Sequence, residues 1–207
     1  MASAAAATTA TAASAAKTAP GTRERLVRTA SRLMQHGGYE NTPVKQLVRE
    51  AEATLGSLYH FFPGGKQELA VAAIHFGDEE FAEALRAGLA THADPARAVE
   101  AVTVLLADHL AASDWRDGCP VTATALETVG RLPELQAACA QAFAHWQELV
   151  AAKLLASGYP EPEARDLAVT VIATLEGAEM TSQVTQSRTP LLVAGRHLAR
   201  LVGSYAT

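Results

Sequence analysis

Leu26, Val27, Ala30, Leu33 and Met34 recur at three- and four-residue intervals, which places them on one face of a helix. Thr22 stands where a cap belongs and Glu24 falls in the first turn, where its charge complements the helix dipole. Gly37-Gly38 supplies the stop. A second, shorter stripe follows in Val44, Leu47, Val48 and Ala51, with Thr42 placed to cap it and Pro43 at the first helical position. After a tight break at Glu52-Ala53, Thr54 caps a third short helix through Leu58, Tyr59, His60, Phe61 and Phe62, and Pro63-Gly64-Gly65 ends it. Leu58, Phe61 and Phe62 are its expected buried side.

From Lys66 the pattern lengthens. It predicts helices over 66–89, 94–113, 119–130, 132–157, 161–186 and 189–204, punctuated by Asp94-Pro95, Asp117-Gly118, Leu132-Pro133, Ser157-Gly158-Tyr159-Pro160 and Thr189-Pro190. No stretch alternates as a strand does, and no repeat of fixed period is present. The expected fold is all-α, with an N-terminal three-helix head over 21–65 and a larger helical ligand-binding and dimerisation domain over 66–207. Residues 1–20 are rich in Ala, Thr and Ser and read as a disordered tail; they lack the basic start and apolar core of a signal peptide.

Charge adds an asymmetry. Residues 1–70 hold eight Lys/Arg against five acids, and the remainder holds nine against seventeen, within a net charge of −5. A mildly basic head on an acidic body suits an anionic partner for the head alone, although chance scatter of a few charges would look the same. Cys119 and Cys139 form no CxxC pair and share no metal-ligand spacing with histidines, so the expectation is a reduced, cytoplasmic protein without metal or cofactor. No apolar run reaches transmembrane length, so no membrane partner is expected.

Two short helices joined by a tight break, behind a basic amphipathic helix, form a helix-turn-helix unit. A short helix fits the major groove of DNA when a partner helix holds it at the right angle. Leu55, Gly56, Ser57, Tyr59 and His60 are small, polar or protruding and can face the duplex, and Thr42, Thr54 and the helix N-termini offer donors to phosphates. The stretch from Thr22 to Leu69, above all Gly56-Ser57-Leu58-Tyr59-His60-Phe61-Phe62 followed by Lys66, resembles the head of the tetracycline-repressor (TetR) family. The resemblance implies that Thr42, Tyr59, His60 and Lys66 contact phosphates, that Lys45 and Leu55–Ser57 face base edges, and that Leu58 and Phe62 are core. It implies a homodimer on double-stranded DNA with a pseudo-palindromic operator, released by a small hydrophobic effector. Glu52 stands where the family has glycine, a strain of roughly 1–2 kcal/mol if that residue is left-handed. Leu55 replaces a common polar residue, and Pro63-Gly64-Gly65 carries an extra glycine. That glycine, Gly118-Cys119-Pro120-Val121 and Glu127 resemble a branch linked to drug-resistance repression.

The body is less legible. Large or polar residues on apolar helices are the candidate effector contacts: His109, Trp115, Cys119, Phe143, Trp146, Glu176 and Met180, with His75, Phe76, Thr122 and Glu179 beside them. Each could equally be ordinary core. The two terminal helices combine large residues (Leu167, Val169, Val171, Ile172, Leu175, Leu191, Leu192, Val193, Leu198, Leu201) with small ones (Ala173, Gly177, Ala194, Gly195), which suits a four-helix dimer interface or simply completes the core. An enzyme is the principal rival reading. It is disfavoured because there is no H-E-x-x-H, nucleophile elbow or phosphate-binding glycine loop. A helical protein-binding module is the second rival.

Overall fold

The computed structural model describes residues 20–205, so the expected tail falls outside the described residues except for Pro20. Among the described residues there are nine helices and no strand: α1 (Thr22–Gly37), α2 (Val44–Glu50), α3 (Leu55–Phe61), α4 (Gly65–Ala90), α5 (Pro95–Ala112), α6 (Thr122–Thr128), α7 (Pro133–Ala156), α8 (Glu161–Thr185) and α9 (Thr189–Ser204).

The head closes around Leu26, Leu47, Leu58 and Phe62, all essentially inaccessible. Phe61, expected inside with them, is 37% exposed. Leu58 and Phe62 are four positions apart and share a face, whereas Phe61 is rotated off it by one residue. Gly21, not Thr22, occupies the cap position of α1. The α1 helix ends at Gly37: the Gly38 N–H still donates to the Met34 carbonyl at 2.7 Å, and the left-handed φ of 75° at Gly38 then turns the chain out of the helix. Thr42 does not cap α2. Pro43 is extended (ψ 136°), so the helix begins at Val44, and the buried Thr42 hydroxyl turns back to donate to the Gly38 carbonyl at 2.8 Å. Thr54 caps α3 as expected, accepting from the Ser57 N–H at 3.0 Å.

In the body, α4 packs against α1, α5 and α7, α7 against α8, and α9 along both α5 and α8. Trp146 is fully buried, with its ring centroid 4.3 Å from that of Phe81 and 5.3 Å from that of Phe143. The α6 helix starts at Thr122 rather than 119, because Gly118 and Pro120 keep the preceding segment out of helical geometry. Leu167, Val171, Ile172, Leu175, Leu191 and Leu198 are buried within the chain itself, so much of the apolar surface of α8 and α9 completes its own core. Gly195 sits tight on α5, where any side chain would meet Thr103. Val169, Ala173, Gly177, Met180 and Val184 remain as an outward stripe on α8. No helix among the described residues is long and apolar enough to cross a membrane.

Candidate nucleic-acid interface and internal cavity

The α3 helix presents a contiguous exposed surface. Leu55 (45% exposed) and Tyr59 (54%) stand out from it, with Gly56 and His60 also exposed and Ser57 partly so. Lys45 on α2 and Thr54 at the start of α3 are exposed beside them. Of the sequence-predicted contacts, Thr42 alone is enclosed, and its hydroxyl is already committed to the α1–α2 turn. Lys66 is half-buried at the start of α4, with Nζ 4.2 Å from the centre of the Tyr39 ring. Burial lowers its pKa, and the nearby Glu40 and Glu127 charges oppose that shift.

Arg25 makes a contribution that sequence periodicity did not single out. From α1 its Nε donates to the Ala51 carbonyl at 3.0 Å and its Nη2 to the Glu52 carbonyl at 3.1 Å. Both acceptors lie in the turn between α2 and α3. Glu52 itself has a left-handed φ of 50°, as its replacement of glycine foreshadowed.

A cavity of about 680 Å³ lies between head and body. Arg28, Arg32 and Gln35 of α1 form one wall, Phe76, Glu80 and Phe81 of α4 another. His109 of α5, Asp117 and Gly118 of the α5–α6 segment and Glu179 of α8 close it. Of the expected effector contacts, His109, Phe76 and Glu179 line this space. Trp146 and Phe143 do not; they stack in the core behind Phe81. Met180 is 50% exposed on the outward side of α8, His75 is exposed on α4, and Trp115 lies in the α5–α6 segment with a left-handed φ of 63°. Cys119, Thr122 and Glu176 form a polar cluster outside the lining, in which the Thr122 hydroxyl donates to Glu176 Oε2 at 2.5 Å. Burial and the two neighbouring carboxyls push the Cys119 thiol well above its ordinary pKa, so it is an unreactive thiol.

The cavity wall also fastens the head. Gln35 Nε2 donates to the Gly118 carbonyl at 2.6 Å, and His36 Nε2 meets Asp117 Oδ1 at 2.5 Å. A second tie runs from α6 and the turn after it: Glu127 accepts the Glu40 N–H at 3.1 Å, and Arg131 donates to Glu40 Oε1 at 2.7 Å. These pairs are 81 to 91 residues apart in sequence, too far for helical spacing to reveal them. Elsewhere, Asp78, Glu79 and His145 converge between α4 and α7, where His145 Nδ1 pairs with Asp78 at 2.8 Å and the Arg86 guanidinium lies 3.1 Å from His145 Nε2 and 3.7 Å from Glu79.

Residues 26–73 match the family described as bacterial regulatory proteins, tetR family. Residues 95–197 match the C-terminal domain of LmrA/YxaF-like transcriptional regulators. The HTH-type transcriptional regulator YxaF of Bacillus subtilis (strain 168) is 34% identical over 180 residues, covering 87% of this chain and 94% of that protein. The chain belongs to the TetR family. The HTH-type transcriptional regulator LmrA of the same organism is 32% identical, over 82% of this regulator and 90% of LmrA. A TetR transcriptional regulator from Chloroflexus aurantiacus has a crystal structure superimposing with a TM-score of 0.73 at 29% identity, over 88% of this chain and 94% of that one. The TetR regulatory protein of Rhodobacter sphaeroides shares the fold, with a TM-score of 0.75 over 86% and 97% of the two chains. The regulator is thus a DNA-binding transcriptional regulator with an N-terminal helix-turn-helix and a helical C-terminal domain.

Proposed function

We propose that the regulator is a cytoplasmic, non-enzymatic repressor that binds a pseudo-palindromic operator as a homodimer and leaves it when a small hydrophobic effector enters the cavity. Residues 21–65 act as the reading head and 66–207 as the effector and dimerisation body. In the head, Leu55, Gly56, Ser57 and Lys45 face base edges, and Thr54, Tyr59, His60 and Lys66 hold the phosphates. The outward stripe of α8, with the adjoining face of α9, forms the dimer contact. A two-fold axis there sets the two α3 helices into successive major grooves, roughly 34–36 Å apart or somewhat more.

The observation that carries effector release is the composition of the cavity wall: α1 of the head and the α5–α6 segment that holds α1 both line it. An occupant therefore touches the junction that fixes the angle of the head. It acts only if it favours the arrangement with mis-spaced heads, since equal affinity for both arrangements shifts nothing. The α4 helix is the second lever, because it enters from the head at Gly65 and supplies Phe76, Glu80 and Phe81 to the cavity.

The test starts from a labelled duplex that the protein selects from a random-sequence library. Aromatic compounds are titrated while operator anisotropy and tryptophan emission are followed together. Trp146 lies against Phe81 of the wall and reports occupancy. Occupancy with parallel loss of the operator complex supports release; tight binders that leave the complex intact contradict it.

A further inference from the structure

Glu179 lies in the cavity wall, is only 5% exposed, and its Oε2 has no hydrogen-bond partner. One helical turn earlier on α8, Glu176 Oε1 is likewise enclosed without a partner, its other oxygen being held by Thr122. Residues three apart lie on the same side of a helix, so the two carboxyls form a buried acidic pair. Such groups are normally satisfied, and each exception calls for a reason. Neither arginine of the same wall is hydrogen-bonded to Glu179: Arg28 pairs with Glu24 at 2.7 Å and lies over the Phe76 ring at 5.1 Å, and Arg32 pairs with Glu50 at 2.6 Å.

We propose that the cavity selects a cationic ligand, an apolar body carrying an amidinium or ammonium group whose N–H donors pair with the Glu179 carboxylate. The inference rests on the reading that the cavity takes an effector, and it names that effector's chemistry. A neutral aromatic molecule brings no charge to the Glu179 carboxyl. An amidinium or ammonium N–H makes a charge-assisted hydrogen bond to the part of the Glu179 carboxylate that faces the cavity, and Phe76 and Phe81 supply the apolar surface for the rest of the ligand. Glu179 itself holds a proton at neutral pH: burial, then the Glu176 charge, raises its pKa to about 8. The other groups facing the cavity are Glu80, His109, Asp117, Arg28 and Arg32, and Cys119 lies behind with Glu176. Binding a cation therefore ionises Glu179 and delivers its proton to solvent, so that the complex contains the carboxylate and the cation and one proton appears in the buffer.

The experiment is calorimetric titration of the full-length protein with 2-naphthamidinium and with its neutral counterpart 2-naphthamide, near pH 7. Each is measured in phosphate and in Tris, buffers whose ionisation heats differ. The amidinium should bind at least about tenfold more tightly than the amide and release protons, seen as a buffer-dependent heat. Glu179→Gln should bring the two affinities together and abolish the buffer dependence. The wild-type comparison stands alone if that variant does not fold. Amide binding as tight as amidinium binding, absence of proton release, a preference surviving in E179Q, or binding of neither probe would each overturn the proposal. Operator binding, measured on the same samples without probe, keeps the two readings separate. Failure of the probes with an intact operator complex removes the cation alone. A preferred cation that leaves the operator complex in place removes effector release and keeps the cation site.

Discussion

Arg25 on α1 donates through Nε to the carbonyl of Ala51 at 3.0 Å, and through the same guanidinium to that of Glu52. One side chain thereby satisfies two adjacent acceptors of the turn that sets the angle of α3. Arg25→Ala should lower the stability of the head by about 1–3 kcal/mol, the scale of a lost charged hydrogen bond with acceptors left behind. It should weaken operator and random duplex alike. Arg25→Lys should restore little, because an ammonium lacks the fixed fork that reaches two carbonyls at once. Urea melts and binding isotherms of the three proteins check this; full recovery by lysine would rule out the two-acceptor role.

Glu52 occupies a left-handed conformation that glycine adopts without strain. Glu52→Gly should raise stability by about 1 kcal/mol, the relief of strain outweighing the added freedom of the unfolded chain. Its carbonyl still accepts from Arg25, so the turn keeps its shape. A lower denaturation midpoint for the variant would contradict this.

How far each feature was legible depended on whether its cause was local. Thr54, Gly38 and the Leu58/Phe62 pair act through neighbours within four residues, and spacing exposed them. The cap of α2 was misplaced because Pro43 is extended and sends Thr42 back to Gly38, a choice that side-chain type alone does not reveal. In the body, a Trp at helical spacing suits core and cavity equally. Only the packing of α4 against α7 decides that Phe81 faces the space and Trp146 stands behind it. The Gln35–Gly118 and Glu127–Glu40 ties join distant segments and leave no periodic trace.

Glu179 gives the protein a pH dependence of unusual sign. Its folded pKa of about 8 lies above the ordinary value of 4.5, so between these limits the folded state holds a proton that the unfolded state has lost. The contribution of this site to stability is most favourable below the lower limit and declines as pH rises through about 8. Glu179→Gln should flatten this decline and leave the protein about 1–3 kcal/mol more stable than wild type on the alkaline side, by removing a buried charge without a partner. Melting temperatures of both proteins across this range test it; parallel curves would show that Glu179 does not titrate there.

Gly195 lets α9 approach α5 at Thr103, where an added Cβ would overlap the threonine side chain. Gly195→Val should destabilise the body by about 1–3 kcal/mol through overpacking, and Thr103→Ala in the same chain should recover part of the loss. Additive effects in the double-mutant cycle would place the contact elsewhere.

Reading of DNA by the exposed face of α3 is tested most directly by the sequence preference of Leu55→Arg against wild type, each determined by selection from a random duplex library. Leu55 is 45% exposed and carries no core contact that the substitution must break. Both proteins should select inverted repeats of the same half-site spacing, since the dimer axis is unchanged. The arginine variant should change the base chosen at one or two positions in each half-site, most readily towards guanine, which offers it a bidentate pair of acceptors. Identical preferences for the two proteins, with affinity for random duplex raised equally at every sequence, would contradict base reading by α3.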